Sequence, residues 1–218
     1  MTATELRDLF RTPDFQEGLR DISGSRASIM QERPIVYLLA RCLWKRGTKF
    51  ELEDKHHDLS LDGQRIEFKF NYDRCGRMLA RQLAQYGDDL PGMWRLVQAK
   101  KLSKSWGVIP KIYDDACVRK PQPNILVWII CSRDLSQVAP ADLDRICGGR
   151  DQVKYNATRP SGPGGDLPEV FDSFLAKLNG VRPFTLLKED IPTNGDFPST
   201  YHFRICDFGG QGTRHAGD

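Results

Sequence analysis

Residues 58–70 read Asp58-Leu59-Ser60-Leu61-Asp62-Gly63-Gln64-Arg65-Ile66-Glu67-Phe68-Lys69-Phe70. An Asp-Gly dipeptide between two alternating segments is the strongest short-range signal for a β-hairpin. With Asp62 and Gly63 as the loop, the register is fixed: Leu61 faces Gln64, Ser60 faces Arg65, Leu59 faces Ile66, and Asp58 faces Glu67. Two carboxylates then stand opposite one another, with Cβ atoms ~4.5–5.5 Å apart. They share a face with the next pair, His56 and Lys69, while Leu59, Ile66 and Phe68 line the other.

Like charges opposed across a hairpin destabilise it, so the pair calls for a reason. A divalent cation supplies one. Mg²⁺ (or Mn²⁺) prefers hard oxygen ligands and is commonly held by one or two carboxylates, with water and substrate phosphate oxygens completing the octahedron. A lysine two residues beyond Glu67, on the same strand face, is placed to stabilise charge on a phosphate or orient attacking water. Each part alone has a plainer reading. Glu-x-Lys on a strand is commonly a solvated ion pair, and Glu32 by itself is a carboxylate favoured at a helix N-terminus. His56-His57 makes a poor metal pair, because neighbouring strand residues point to opposite faces.

Working outward, the spacing of Val36, Leu39, Ala40 and Leu43 predicts a helix begun near Pro34 and ended at Gly47, with Glu32 at its N-terminal end. A shorter amphipathic lead over 4–19 is interrupted at Pro13. Alternation then predicts strands at 49–54, 56–61 and 64–71. A helix over 74–86 follows, with Asp73 as N-cap and Gly87 at its end. Weak helical patterning recurs around 94–97. The run Ile125-Leu126-Val127-Trp128-Ile129-Ile130-Cys131 is apolar throughout and rich in β-branched residues, which predicts a central strand buried on both faces. Gly and Pro make 148–165 a long loop; beyond it come a helix at 169–178, a strand at 183–188, a turn-rich 192–198, a strand at 201–208 and a frayed tail at 209–218.

At 218 residues, 39% hydrophobic and 28% charged, the chain has the composition of one folded domain, taken as 1–208. No apolar run approaches the ~18 residues of a membrane span. The first residues alternate in charge without an apolar segment, so the expected location is inside the cell, cytoplasmic or, in a eukaryote, nuclear, and not secreted. Six cysteines at wide, irregular intervals contain no C-x-x-C pair, which argues against a disulfide scaffold or zinc module. The net charge of +3 is small, but residues 74–133 hold eleven Lys or Arg against four Asp. The plain reading of that excess is a solvated surface; the functional one is a path for nucleic acid.

The order helix, three strands, helix, strand, with Glu32 on the helix, Asp58 on the second strand and Glu67-x-Lys69 on the third, resembles the PD-(D/E)xK nuclease superfamily over about residues 30–131. His57 stands where the namesake proline would be. The resemblance implies a restriction-endonuclease-like α/β fold, an αβββαβ core with a mixed central sheet flanked by helices. It further implies that Asp58 and Glu67 are Mg²⁺ (or Mn²⁺) ligands, Lys69 the catalytic lysine and Glu32 an auxiliary acid. Gln82-x-x-x-Tyr86 is similar to an element of the exonuclease branch, although on spacing alone it is an i, i+4 pair on an amphipathic helix. The branch stays open, with a restriction endonuclease as one option. The expected activity is metal-dependent hydrolysis of phosphodiester bonds in DNA, with Lys100, Lys101, Lys104 and Gln82 as nucleic-acid contacts. The alternative is a catalytically silent fold of the same kind that binds nucleic acid or protein. DNA is the expected partner, a homodimer stays open and no membrane is involved. Neither G-x-G-x-x-G nor G-x-x-x-x-G-K occurs to support a nucleotide-dependent metabolic enzyme.

Overall fold

The computed structural model describes residues 1–24, 32–54, 57–72, 76–102, 108–133, 167–193 and 199–209. Expectations for Asp73 as N-cap, His56, Lys104, the loop at 148–165 and the tail beyond 209 lie outside these residues. Helices α1 (Ala3–Phe10), α2 (Pro13–Gly24) and α3 (Glu32–Lys45) precede strands β1 (Glu51–Asp54), β2 (His57–Leu61) and β3 (Gln64–Tyr72). Helices α4 (Gly76–Tyr86), α5 (Leu90–Gln98) and α6 (Val108–Tyr113) follow, and a π-helical turn at Asp114–Val118 leads toward β4 (Ile125–Arg133). Helix α7 (Leu167–Val181) and strands β5 (Thr185–Thr193) and β6 (Ser199–Asp207) complete the order.

The six strands form one mixed sheet in the order β1-β2-β3-β4-β6-β5. The β3–β4 pair is parallel and every other pair antiparallel. The β2–β3 register follows the Asp-Gly turn, with Leu61 opposite Gln64, Ser60 opposite Arg65 and Leu59 opposite Ile66. Asp62 and Gly63 take φ values of 49° and 74°, as a type I′ turn requires. A Cβ on Gly63 would meet nothing within 4 Å, so Gly63→Ala isolates the backbone term. Its expected cost is about 1 kcal/mol, seen as a lowered urea midpoint at unchanged m-value.

Strand β4 shows why a continuous apolar run forms a strand here. Side chains alternate across a sheet, so Ile125, Val127, Ile129 and Cys131 enter one core and Leu126, Trp128 and Ile130 the other. All seven are essentially inaccessible to solvent. Helices α1, α2 and α3 cover the first face with Leu6, Leu9, Phe10, Phe15, Leu19, Leu39 and Leu43. Helices α4, α5, α6 and α7 cover the second, where Phe171 and Phe174 meet the Trp128 ring edge-on at 4.4 and 5.5 Å. The buried Trp128 indole donates to Asn71 Oδ1 at 2.7 Å, so its one polar atom is satisfied.

Two departures from the sequence reading have local causes. Strand β5 runs through Pro192 to Thr193, where proline suggested a turn-rich segment. Because β5 is the edge of the sheet, a residue without an N–H is tolerated there, and Pro192 pairs with Thr200. Helix α6 and its π-helical continuation, which no periodicity announced, form within the basic stretch. Among the described residues no helix is long and apolar enough to cross a membrane.

Candidate active site

The β2–β3 ladder ends at Leu59–Ile66, whereas β3 continues to Tyr72 paired with β4. The two strands therefore part at the level of Asp58 and Glu67, and these residues do not form the direct cross-strand pair that the hairpin register predicts. Asp58 turns its carboxylate to the backbone instead, accepting the Phe68 N–H at Oδ2 over 2.7 Å. That contact satisfies a donor on a strand edge that the partner strand no longer covers. It also accounts for an acidic residue at this position without any opposed charge.

Glu67 and Lys69 lie two residues apart, on the β3 face opposite Ile66 and Phe68. Lys69 is not an outward-pointing surface lysine. Its side chain is 22% exposed, and its Nζ donates to Glu67 Oε1 at 2.5 Å and lies 3.5 Å from Asp115 Oδ2. Arg119 Nη1 bridges the same two carboxylates, at 3.1 Å from Glu67 Oε1 and 3.2 Å from Asp115 Oδ1. Buried His57 adds its Nδ1 at 3.6 Å from Glu67 Oε2, within ion-pair range when the ring is protonated.

Asp115 and Arg119 were not singled out in the sequence. They are delivered by the π-helical turn, which Arg119 closes by donating its N–H to Asp114 O at 2.8 Å. The available signal was the Asp114-Asp115 pair with Arg119 four residues later, concealed within a segment that counts as basic overall. π-Turns recur at functional sites because the extra residue re-aims neighbouring side chains.

Electrostatics tie Glu32, at the start of α3, to this cluster. Burial pushes its carboxyl up to about 7, and the negative charges of Asp58, Glu67 and Asp115 push the same way against Lys69. Burial likewise raises Glu67, with Asp58 and Asp115 adding to the shift and Lys69 opposing it. For Lys69, burial alone would favour the neutral amine; the carboxylates of Asp115, Glu32 and Glu67 outweigh it and hold the ammonium above its ordinary value. Four carboxyl groups thus gather with two permanent cations in a partly buried site, and burial shifts two of them, Glu32 and Glu67, toward the protonated form.

The sequence-predicted nucleic-acid contacts among the described residues lie on α4 and just past α5. Lys100 and Lys101 are exposed just past α5, and Lys104 lies outside the described residues. Gln82 is partly buried on α4 with Oε1 3.4 Å from the Ile109 N–H, and Tyr86 packs against the second core. A separate polar chain crosses β4, β6 and β5. Ser132 Oγ is 2.9 Å from His202 Nε2, and His202 Nδ1 is 3.0 Å from Asp190 Oδ1. Buried Arg204 donates to that same Asp190 oxygen at 2.7 Å and to Asp172 of α7 at 2.8 Å. This chain braces α7 against the sheet.

No protein-family model, curated protein or solved structure matches the chain.

Proposed function

We propose that this protein is a divalent-metal-dependent nuclease of the restriction-endonuclease-like class that hydrolyses phosphodiester bonds in DNA. The observation that carries the reading is the clustering of Glu67 and Asp115 with Lys69 and Arg119 where β2 and β3 part, with Asp58 beside them and Glu32 electrostatically coupled to them. Carboxylates beside two cations fit a divalent cation and a phosphate together. Among the described residues no group of three or more His, Cys, Asp or Glu side chains is set to hold a metal ion, but a Mg²⁺ site built on one or two carboxylates with water and phosphate needs no such group.

Glu67 and Asp58 are the residues that would hold the ion, which when bound polarises the phosphate and lowers the pKa of a coordinated water. Lys69 and Arg119 now share Glu67 Oε1. With a cation held there, Lys69 and Arg119 would be the groups placed to stabilise the negative charge that grows on the non-bridging phosphate oxygens in the transition state. Glu32, with its carboxyl near 7, is suited to hold or release a proton at neutral pH. The silent, binding-only reading draws on the same geometry, because Glu67 is already charge-satisfied by two cations.

Plasmid DNA separates these readings. Nicking by the purified protein in Mg²⁺ or Mn²⁺, abolished by EDTA, is the expected result; no nicking in either metal would leave the silent fold. Asp58→Asn provides a second check, because the amide oxygen still accepts the Phe68 N–H. The metal-free variant is expected to be at least as stable as the wild type, because the charge that repels Glu32 and Glu67 is gone. Its melting temperature is expected not to respond to Mg²⁺, whereas that of the wild type rises.

A further inference from the structure

Helix α3 starts at Glu32 in the candidate site and presents a second face that the core does not use. Ile35, Leu38, Leu39, Cys42 and Leu43 are buried, while Arg33, Tyr37, Arg41 and Trp44 are exposed. At ~100° per residue these four project within roughly 80° of one another, so they form a stripe along the helix. Trp44 is 75% exposed and Tyr37 51%, among the most exposed large apolar side chains of the described residues. A surface tryptophan of that exposure contributes nothing to the core.

Charge selects the occupant. Apart from Glu32, the helix carries no acidic side chain, and Arg46 and Lys49 extend the positive track past its end. The neighbouring carboxylate of α2, Asp14, is taken up by Lys45 at 2.7 Å. Cations alternating with exposed aromatic rings are the pattern that tracks a phosphate backbone while unpaired bases stack. Arg33 to Trp44 spans about 16 Å, the length of some five nucleotides of one strand.

We propose that this face of α3 binds an unpaired strand of DNA and leads it to the site at the helix N-terminus, with Arg33 and Arg41 on phosphates and Trp44 and Tyr37 stacked on bases. The choice of DNA rests on the nuclease reading, whereas the stripe itself does not.

The test uses the full chain in EDTA, so that no cleavage intervenes, and a fluorescein-labelled 20-nucleotide single strand alongside its blunt duplex, followed by anisotropy across a salt series. Wild type is expected to prefer the single strand. Trp44→Ala is expected to weaken single-strand binding about 10-fold and remove that preference. Arg33→Ala/Arg41→Ala is expected to weaken binding and lower the log–log salt slope by about 1.4. Lys177→Ala, exposed on α7 across the sheet from α3, serves as the comparison and is expected to change neither. Alanine suits an exposed helix position, and unchanged far-ultraviolet circular dichroism checks each fold.

Wild-type affinity and slope in both α3 variants would overturn the proposal, as would a wild-type protein that binds no DNA. So would a Trp44→Ala change confined to self-association in sedimentation, which would mark the face as a protein contact. Binding that depends on α3 without any cleavage in Mg²⁺ would remove the catalytic reading and leave this one standing.

Discussion

Lys69→Met is expected to reduce Mg²⁺-dependent cleavage about 10³-fold in kcat while DNA affinity stays within a factor of two, because the ammonium acts on charge that develops only in the transition state. Methionine keeps the aliphatic stem and removes the charge. Stability is expected to fall as well. Lys69 is one of two permanent cations that face Glu67 and Asp115, so its removal leaves a partly buried carboxylate cluster with Arg119 as its one permanent cation. Breaking one side of such a network costs about 3 kcal/mol. That loss should be larger at pH 8 than at pH 5, since Glu32 and Glu67, both shifted upward, take up protons in acid and relieve the excess charge. Single-turnover cleavage and urea melts at the two pH values measure the two effects separately. A variant that cleaves at the wild-type rate would remove Lys69 from the chemistry.

What the sequence made legible was local. The Asp62-Gly63 turn and its register depend on two residues that tolerate positive φ and on the alternation beside them, and both are visible within a dozen positions. Strand β4 was legible because the apolar run from Ile125 to Cys131 is strand-sized and rich in β-branched residues, which fits a strand buried on both faces. The mixed sheet flanked by helices came from the resemblance rather than from these elements, and the six strands do form one.

The other half of the site was not local. Asp115 and Arg119 reach Glu67 only after the chain has crossed through α4, α5 and α6, and the π-turn that aims them has no propensity signal. Counting charge over 74–133 hid them, because one acidic pair vanishes in an excess of eleven cations over four acids. The exposed ring of Trp44, in turn, lies on a helix whose buried half had already explained its sequence pattern. Periodicity identifies the face that enters the core. It says nothing about what the opposite face is for.

Glu32→Gln is expected to raise stability strongly at pH 8 and by less than about 1 kcal/mol at pH 5. In the folded protein the Glu32 carboxyl titrates at about 7 rather than at its ordinary 4.5, chiefly because burial disfavours the charged form. Between those two values the folded state keeps a proton that the unfolded chain has released, so folding stability falls as pH rises through the window. A shift of this size corresponds to about 3 kcal/mol, fully felt above pH 7. Glutamine is uncharged throughout and lacks this dependence; the slope that remains in the variant belongs to Glu67, whose carboxyl is also raised. At pH 8 the variant should therefore melt about 6–12 °C above wild type in EDTA. Mg²⁺ should narrow the gap, because a divalent cation neutralises the carboxylates whose repulsion the substitution relieves. Cleavage gives an independent readout of the same proton: the wild-type kcat profile should inflect near neutral pH and that of the variant should not. Wild-type and Glu32→Gln melting curves that run parallel from pH 5 to pH 8 would return Glu32 to an ordinary carboxylate at a helix end, uncoupled from Asp58, Glu67 and Asp115.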